Sequence, residues 1–165
     1  MQNRSNRNTR TPSSVPALMF AVSVVGSNGL ALSPILSDVA GSFSPSALTI
    51  STAISAYGAA TAASAFFLAA RIDRIGIRRA LLGAMVALIA ALLLSAAAPH
   101  WIVLTLAQAL AGGAAGVILP AAYGSASLIA PPGQEARTLG RVIAGWSVSL
   151  VAGAPLSALI SDAVG

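Results

Sequence analysis

The densest group of charged side chains lies in residues 71–79, which read Arg-Ile-Asp-Arg-Ile-Gly-Ile-Arg-Arg. One acid, Asp73, and one glycine, Gly76, stand there among four arginines. A glycine suits a tight turn between two antiparallel helices, and arginines can bond helix-end carbonyls and pair with a carboxylate. The pattern predicts a charged helix–helix turn. An arginine-rich loop on the inner face of a membrane is the simpler interpretation.

The other residue types offer little for catalysis or metal binding. The chain has no cysteine, and its one histidine, His100, stands between Pro99 and Trp101, where we expect an ordinary loop residue. The sequence shows no paired carboxylates, no Ser/His/Asp set and no phosphate-binding loop. We therefore expect neither an enzyme nor a metal site nor a cofactor.

Charged residues are too few for a water-facing surface. The chain has 165 residues, of which 56% are hydrophobic and 8% charged, and its mean hydropathy is +0.85. A soluble domain carries about 25% charged residues, so lipid must be the main solvent. The net charge is +5, but long uncharged runs separate the basic residues. Nucleic acid is therefore not an expected partner.

Long apolar segments divide the chain into five predicted spans, at residues 16–36, 46–70, 80–98, 101–130 and 142–160. Each is about 20 residues or longer, enough for a helix to cross the hydrocarbon core. Residues 1–15 are polar and predict a disordered tail. A signal peptide is the rival interpretation of the first span. We expect an interruption of the fourth span near Pro120 and a polar loop over 131–141.

The arginines predict the orientation of these spans. All nine basic residues are arginines, and they lie in the tail, in residues 71–79 and in the loop before the fifth span. The alternate loops hold none, so the positive-inside rule places the amino terminus in the cytoplasm. We expect a multi-pass protein of a bacterial-type inner (plasma) membrane, with the lipid bilayer as its surroundings.

Two amides stand out among the few polar residues within the predicted spans. Asn28 and Gln108 are costly to expose to lipid, so they should face a cavity or another helix. They are candidates for substrate contact, and an interhelical hydrogen bond of about 0.6 kcal/mol is the alternative. Neither Asp, Glu nor His lies mid-span, so these five spans lack the usual group of a proton relay.

Small residues recur at helical spacing in the last two spans. Gly112 and Gly116 are four residues apart in the fourth span. In the fifth, Gly145 and Gly153 belong to a stripe of Gly and Ser that repeats every four residues. Small residues let helix backbones approach closely. Pro155 follows the stripe, where it removes a backbone donor and can bend the helix.

Three of these segments, in this order, resemble the major facilitator superfamily of transporters. The family's loop between its second and third spans reads Gly-x-Leu-Ala-Asp-Arg-x-Gly-Arg-Arg, and this chain matches it at Asp73, Arg74, Gly76 and Arg78. It departs from that pattern at four positions: Ala69, Arg71, Ile72 and Ile77. The resemblance implies that the matching residues form a charge network closing the cytoplasmic side.

The fourth and fifth spans carry the other two likenesses. Residues 108–116 resemble the family's Arg-x-x-Gln-Gly-x-Gly-Ala segment, with Gln108 at the position of the arginine. Residues 153–157 resemble the Gly-x-Pro-x-Gly segment of its exporters, with Ser157 for the second glycine. The resemblance implies a substrate cavity lined by the first and fourth spans, and hence by Asn28 and Gln108.

The resemblance implies a fold of two six-helix halves around a central substrate site. Residues 16–165 would form an all-α membrane bundle of five transmembrane helices, most of the amino-terminal half, incomplete at the carboxyl end. The expected function is export of a small molecule, as in the drug and sugar efflux antiporter branch, by a chain present as an amino-terminal fragment. The alternatives are a small non-transporting membrane protein and a half-transporter that needs a partner subunit to supply the missing half.

Overall fold

The computed structural model describes residues 14–32, 47–153, 155–156 and 159. Regular structure in these residues is helical throughout. Five α-helices are followed by one π-helical turn: α1 (Ser14–Ala31), α2 (Ala47–Ile75), α3 (Ile77–Ala96), α4 (Trp101–Ile129), α5 (Glu135–Val148) and the π turn (Ser149–Gly153). The sequence-based expectation of an all-α chain is confirmed for this part of the molecule. Most of the predicted tail and the loop predicted between the first and second spans lie outside the described residues.

Helix α4 is the centre of the bundle and contacts each of the other four helices. Its buried positions are mostly Ala and Gly, with larger side chains such as Leu104 and Ile118 filling the gaps. Helix α2 packs along one side of α4 and α3 along another, whereas α1 packs chiefly against α5. Small side chains allow these backbones to approach closely, which compensates for the absence of a hydrophobic driving force between helices in lipid.

Large apolar side chains cover the outside of the bundle. On α3 the exposed residues Leu82, Val86, Ile89 and Leu93 follow one another at intervals of three or four, so they form one stripe. Phe66 on α2 is 79% exposed. A continuous apolar exterior is unfavourable in water and suits a lipid-facing surface. Among the described residues, α3 and α4 are each long and apolar enough to cross a membrane.

The charged turn is shorter than the sequence suggested. Helix α2 continues through Arg71 and Arg74 to Ile75, and α3 begins at Ile77. Gly76 alone breaks the helix, with a φ of 88°, a conformation that L-residues with a side chain rarely adopt. The exposed arginines therefore lie on helical turns either side of one glycine, not in a loop of nine residues.

Helix α4 also differs from expectation, because it continues past Pro120 to Ile129 without interruption. Proline removes one backbone donor, and neighbouring helices can stabilise the chain around such a gap. At the other end of α4, His100 is the N-cap residue, and its Nδ1 accepts a hydrogen bond from the Ile102 N–H at 3.3 Å. The one histidine thus has a structural partner that sequence reasoning did not identify.

The polar segment before the fifth predicted span is partly helical. The chain breaks at Ala130–Gln134, where Gly133 has a φ of 79°. Helix α5 then begins at Glu135, so Arg137 and Arg141 lie on its first turns and not in a loop. Further along, the helix widens into the π turn immediately before Pro155.

Candidate functional site

A hydrogen-bonded amide pair connects the first and fourth helices inside the bundle. Asn28 Nδ2 donates to Gln108 Oε1 at 3.3 Å. Gln108 is buried, with 4% of its surface exposed, and its Nε2 donates to Ser95 Oγ at 3.4 Å. The pair that the sequence predicted as polar groups facing inward is therefore brought together. Ser95, near the end of α3, is a third member of the cluster that the sequence did not single out.

The amide cluster is uncharged and lies well inside the bundle. Gln108 is seven residues from the start of α4, a distance of about 10 Å along the helix axis. An amide side chain offers two donors and an acceptor with two lone pairs. Within the described residues Asn28 uses one donor for Gln108, so its amide keeps hydrogen-bonding capacity for another group. Such a cluster can bind a neutral polar group, such as a hydroxyl or an amide.

Tyr57 ties the second helix to the first next to this cluster. Its hydroxyl donates to the Val25 carbonyl oxygen at 3.1 Å, and its ring packs against Gly29, where an added Cβ would lie 3.1 Å from Cε1. One turn later, the Thr61 hydroxyl donates to the Tyr57 carbonyl oxygen at 2.8 Å. The Tyr57 hydroxyl and ring therefore join α2 to α1 at one point, three residues from Asn28, whereas the Thr61 bond lies within α2.

The two glycines predicted for the fourth span lie at the contact between α2 and α4. A Cβ added to Gly112 would overlap the carbonyl oxygen of Tyr57, and one added to Gly116 would overlap that of Thr61. The buried Ser64 hydroxyl also crosses this contact, donating to the Gly113 carbonyl oxygen at 2.6 Å. Sequence reasoning missed Ser64, although its spacing from Tyr57 and Thr61 places all three on one helix face.

The glycines predicted for the fifth span lie at the contact between α1 and α5. A Cβ on Gly145 would overlap the Met19 carbonyl oxygen, and one on Gly153 would lie 2.7 Å from Ser27 Oγ. The Ser23 hydroxyl donates across the same contact to the Gly145 carbonyl oxygen at 2.9 Å. The described part of the predicted stripe thus faces a matching polar and small-residue face of α1, and Ser157 lies outside the described residues.

Gly26 completes that contact from the α1 side. A Cβ there would overlap Ser149, which is 1% exposed and begins the π turn. The Ser149 hydroxyl donates to the Trp146 carbonyl oxygen at 2.6 Å. Because α1 has to approach the widened backbone this closely, a side chain at position 26 could not be accommodated. No pattern in α1 itself indicated this glycine.

The π turn is explained by the proline that follows it. Pro155 is exposed and helical, and it lies four residues after Val151, which is within the turn. In a regular α-helix its ring would clash with the Val151 carbonyl group, which would also lose its N–H partner. Widening the preceding turn by one residue removes both problems, and such π turns are frequent at functional sites.

The turn between α2 and α3 that resembles the family's loop (residues 71–79, here called the signature turn) presents its cations outward. Arg74 and Arg78 are exposed on either side of Gly76. The side chain of Asp73 lies outside the described residues, so its predicted pairing with these arginines stays a prediction. The backbone positions that match the family's loop lie close to one another, because Gly76 alone separates α2 from α3.

Comparison with known proteins identifies the family of the chain. Residues 18–165 match the Major Facilitator Superfamily, and the chain belongs to that family. It is also 29% identical over 165 residues to YwfA of Bacillus subtilis (strain 168), described as an uncharacterized MFS-type transporter. That match covers 97% of this chain and 40% of YwfA, so the chain spans well under half the length of this relative. Membership in this family implies an integral membrane protein.

Proposed function

We propose that this chain is the amino-terminal part of a secondary transporter that exports a small molecule. The observation that carries the proposal is the Asn28–Gln108 pair, a neutral, partly buried polar site between α1 and α4 in a chain of this family. The order of the three family-like segments along the chain supports assignment to the first half. Export as the direction depends on the likeness of residues 153–157 to the family's exporters.

In the proposed mechanism the two amides bind a polar group of the substrate. The substrate replaces or bridges the weak Asn28–Gln108 bond, so binding changes the contact between α1 and α4. The tight glycine contacts, at Gly112 and Gly116 on one side and Gly145 and Gly153 on the other, hold the helix pairs as rigid units. A rigid half is what alternating access requires, because one half rocks against the other around the site.

The signature turn acts as the cytoplasmic gate in this proposal. Asp73, Arg74 and Arg78 would contact the second half when the cytoplasmic side is closed. The exposure of both arginines supports this role, since their guanidinium groups are directed away from the chain's own core. The half that is absent from this chain would also supply the coupling carboxylate, because the predicted spans here contain no acid.

The proposed topology has five spans with the amino terminus in the cytoplasm. The chain contains no cysteine, so single cysteines report accessibility without background. Ala97→Cys, at the exposed α3–α4 turn, should react with an impermeant maleimide in intact cells. Ala136→Cys, exposed at the start of α5, should react only after permeabilisation. The reverse pattern, or labelling of both in intact cells, would contradict the topology.

The transport proposal is tested by ligand binding followed by counterflow. The purified chain is screened for small neutral molecules that raise its melting temperature, and each hit is repeated with Asn28→Ala and Gln108→Ala. We expect the affinity for each hit, derived from this stabilisation, to fall at least about tenfold in both variants, because each variant removes one amide. Ser127→Ala, whose exposed hydroxyl bonds only its own helix, is the control. Hits unaffected by both amide variants would exclude this site.

A half-transporter with a partner subunit is the second candidate. The apolar surface at the end of α5 and in the π turn favours it, because Val148, Leu150 and Val151 are all exposed there and a partner subunit could cover them. Counterflow in proteoliposomes tests what the two candidates share: binding with no counterflow by the chain alone supports dependence on a second half. Full counterflow by the 165-residue chain would contradict both the fragment and the partner-dependent proposals.

A further inference from the structure

An open cleft separates α2 from α3, and its lining does not include Asn28, Gln108 or Ser95. Its volume is about 660 Å³, within the roughly 300–1,000 Å³ of ligand pockets. Both helices pack on α4, which forms the floor, but they contact one another only slightly. The cleft is open at the surface, where the exposed residues Leu68, Ile75 and Leu110 form its mouth.

The cleft exists because its walls are built from residues that leave space. Gly83 on α3 and Gly113 on α4 both line it, and a Cβ added at either would meet no atom within 4 Å. These glycines differ from Gly112 and Gly116, whose missing side chains admit another backbone. Five of the thirteen other described lining residues are alanines. The sequence therefore keeps an open volume here where ordinary apolar side chains would fit.

The lining is apolar along its length and cationic at one end. On α2 it extends from Ser64 to Ile75, eleven residues or about 16 Å, which is close to half the thickness of a hydrocarbon core. Arg71 and Arg79 lie at the end next to Gly76, and no acid is found among the lining residues that the structure describes. An occupant with an apolar chain of one leaflet's length and an anionic head would match both features.

We propose that this cleft binds an anionic phospholipid of the cytoplasmic leaflet, with an acyl chain between α2 and α3 and its phosphate held by Arg71 and Arg79. The placement of these arginines at the cytoplasmic surface rests on the topology in the proposed function. Guanidinium groups bind phosphate oxygens in a bidentate manner, and the cytoplasmic leaflet is rich in anionic lipid. The site is separate from the amide cluster and from the matched gate residues Asp73, Arg74 and Arg78.

Native mass spectrometry of the purified chain tests the site. The chain is released from micelles that contain equal amounts of phosphatidylglycerol and phosphatidylcholine with identical acyl chains. We expect retained phosphatidylglycerol to exceed phosphatidylcholine by about tenfold, because only the former has a net charge to pair with the arginines. The double variant Arg71→Gln/Arg79→Gln should retain both lipids about equally. Arg137→Gln, an exposed arginine on α5, should keep the preference.

A second variant tests the cleft itself. Gly83→Leu fills the cleft from its α3 wall and should reduce retention of both lipids at least about fivefold, whereas Gly140→Leu on α5 also points into open space and should not. Gly83→Ala, a smaller change, should give an intermediate loss. Helix content by circular dichroism and monodispersity are measured for every variant, so lost lipid is compared only among folded chains.

Several results would overturn the proposal. Equal retention of the two lipids by the unaltered chain would remove the role of the arginines. Undiminished retention by Gly83→Leu would place the lipid elsewhere, and a dimer abolished by Gly83→Leu would assign the cleft to a second copy. Displacement of phosphatidylglycerol by glycerol phosphate alone would show a headgroup site without acyl-chain binding. Stabilisation by the small-molecule hits is measured on the same variants. Failure of the lipid proposal can then be distinguished from failure of the proposed substrate site at Asn28 and Gln108.

Discussion

Asn28 and Gln108, 80 positions apart in the chain, are joined by a hydrogen bond of 3.3 Å between Nδ2 and Oε1. The bond connects α1 to α4 within an otherwise apolar bundle, and Gln108 passes the connection on to Ser95 of α3. Three helices therefore meet at one neutral polar cluster. Because each amide can make other hydrogen bonds, the same contact serves either to hold the helices together or to receive a ligand.

A double-mutant cycle measures how much the bond stabilises the bundle. Asn28→Ala and Gln108→Ala should each destabilise the chain, and the coupling between them should be about 0.6 kcal/mol, the average for membrane helices. The free energy of unfolding is measured by denaturant titration in detergent. A coupling near zero would mean that the pair does not stabilise the folded chain. A cycle that pairs Asn28→Ala with Ser127→Ala is the control and should show no coupling.

Neighbouring glycines on α4 should respond in opposite ways to the same substitution. Gly112→Ala places a methyl group on the Tyr57 carbonyl, so α2 must move away, at a cost of about 1–3 kcal/mol. Gly113→Ala meets open space and should stabilise the helix by up to about 1 kcal/mol. Thermal unfolding of both variants distinguishes them. Equal effects would show that the close approach of α2 and α4 does not occur.

The sequence predicted the helical class and the inward position of the two amides, because a polar group in an apolar helix has few acceptable environments. Helix boundaries were harder to predict. Charge alone suggested a long loop at 71–79, but arginine is a good helix former and only Gly76 leaves the helix. The open cleft could not be predicted. Gly112 and Gly113 are the same residue type at adjacent positions, and they differ only in that the α2 backbone lies against the first and open space lies beside the second.

The start of α5 should show an acid-sensitive contact. Glu135 has a pKa below its usual 4.5, because its own backbone N–H and that of Gly133 donate hydrogen bonds to the carboxylate. A lowered folded pKa means that the stabilisation is present above the unfolded pKa and is lost as the pH falls through the folded pKa. The carboxylate also lies at a helix N-terminus, where negative charge is favourable.

Glu135 is the chain's one glutamate, so a ¹³C-glutamate label gives a single carboxyl signal. We expect its titration midpoint to be lower in the folded chain than in the chain unfolded by denaturant. The melting temperature of the unaltered chain should fall relative to that of Glu135→Gln as the pH is lowered through 4.5. Identical midpoints in the two states would show that the capping hydrogen bonds contribute nothing.

Pro155 should determine which residues of the turn that precedes it face α1. The π turn inserts one extra residue into the helix, so by its last residue, Gly153, the chain is rotated by about 100° relative to a regular α-helix. Pro155→Ala restores a backbone donor for the Val151 carbonyl and should return this segment to regular α geometry. Gly153, which lies against Ser27 in the present structure, would then turn away from α1.

Alanine at Gly153 reports this rotation. Gly153→Ala should cost about 1–3 kcal/mol in the unaltered chain, because its methyl group would press on Ser27, and much less in the Pro155→Ala background. Gly145→Ala, which precedes the π turn and meets the Met19 carbonyl, should cost the same in both backgrounds. Unfolding free energies of the single and double variants decide the matter. If Gly153→Ala is equally costly with and without Pro155, the proline does not set the orientation of the segment, and the π turn has another cause.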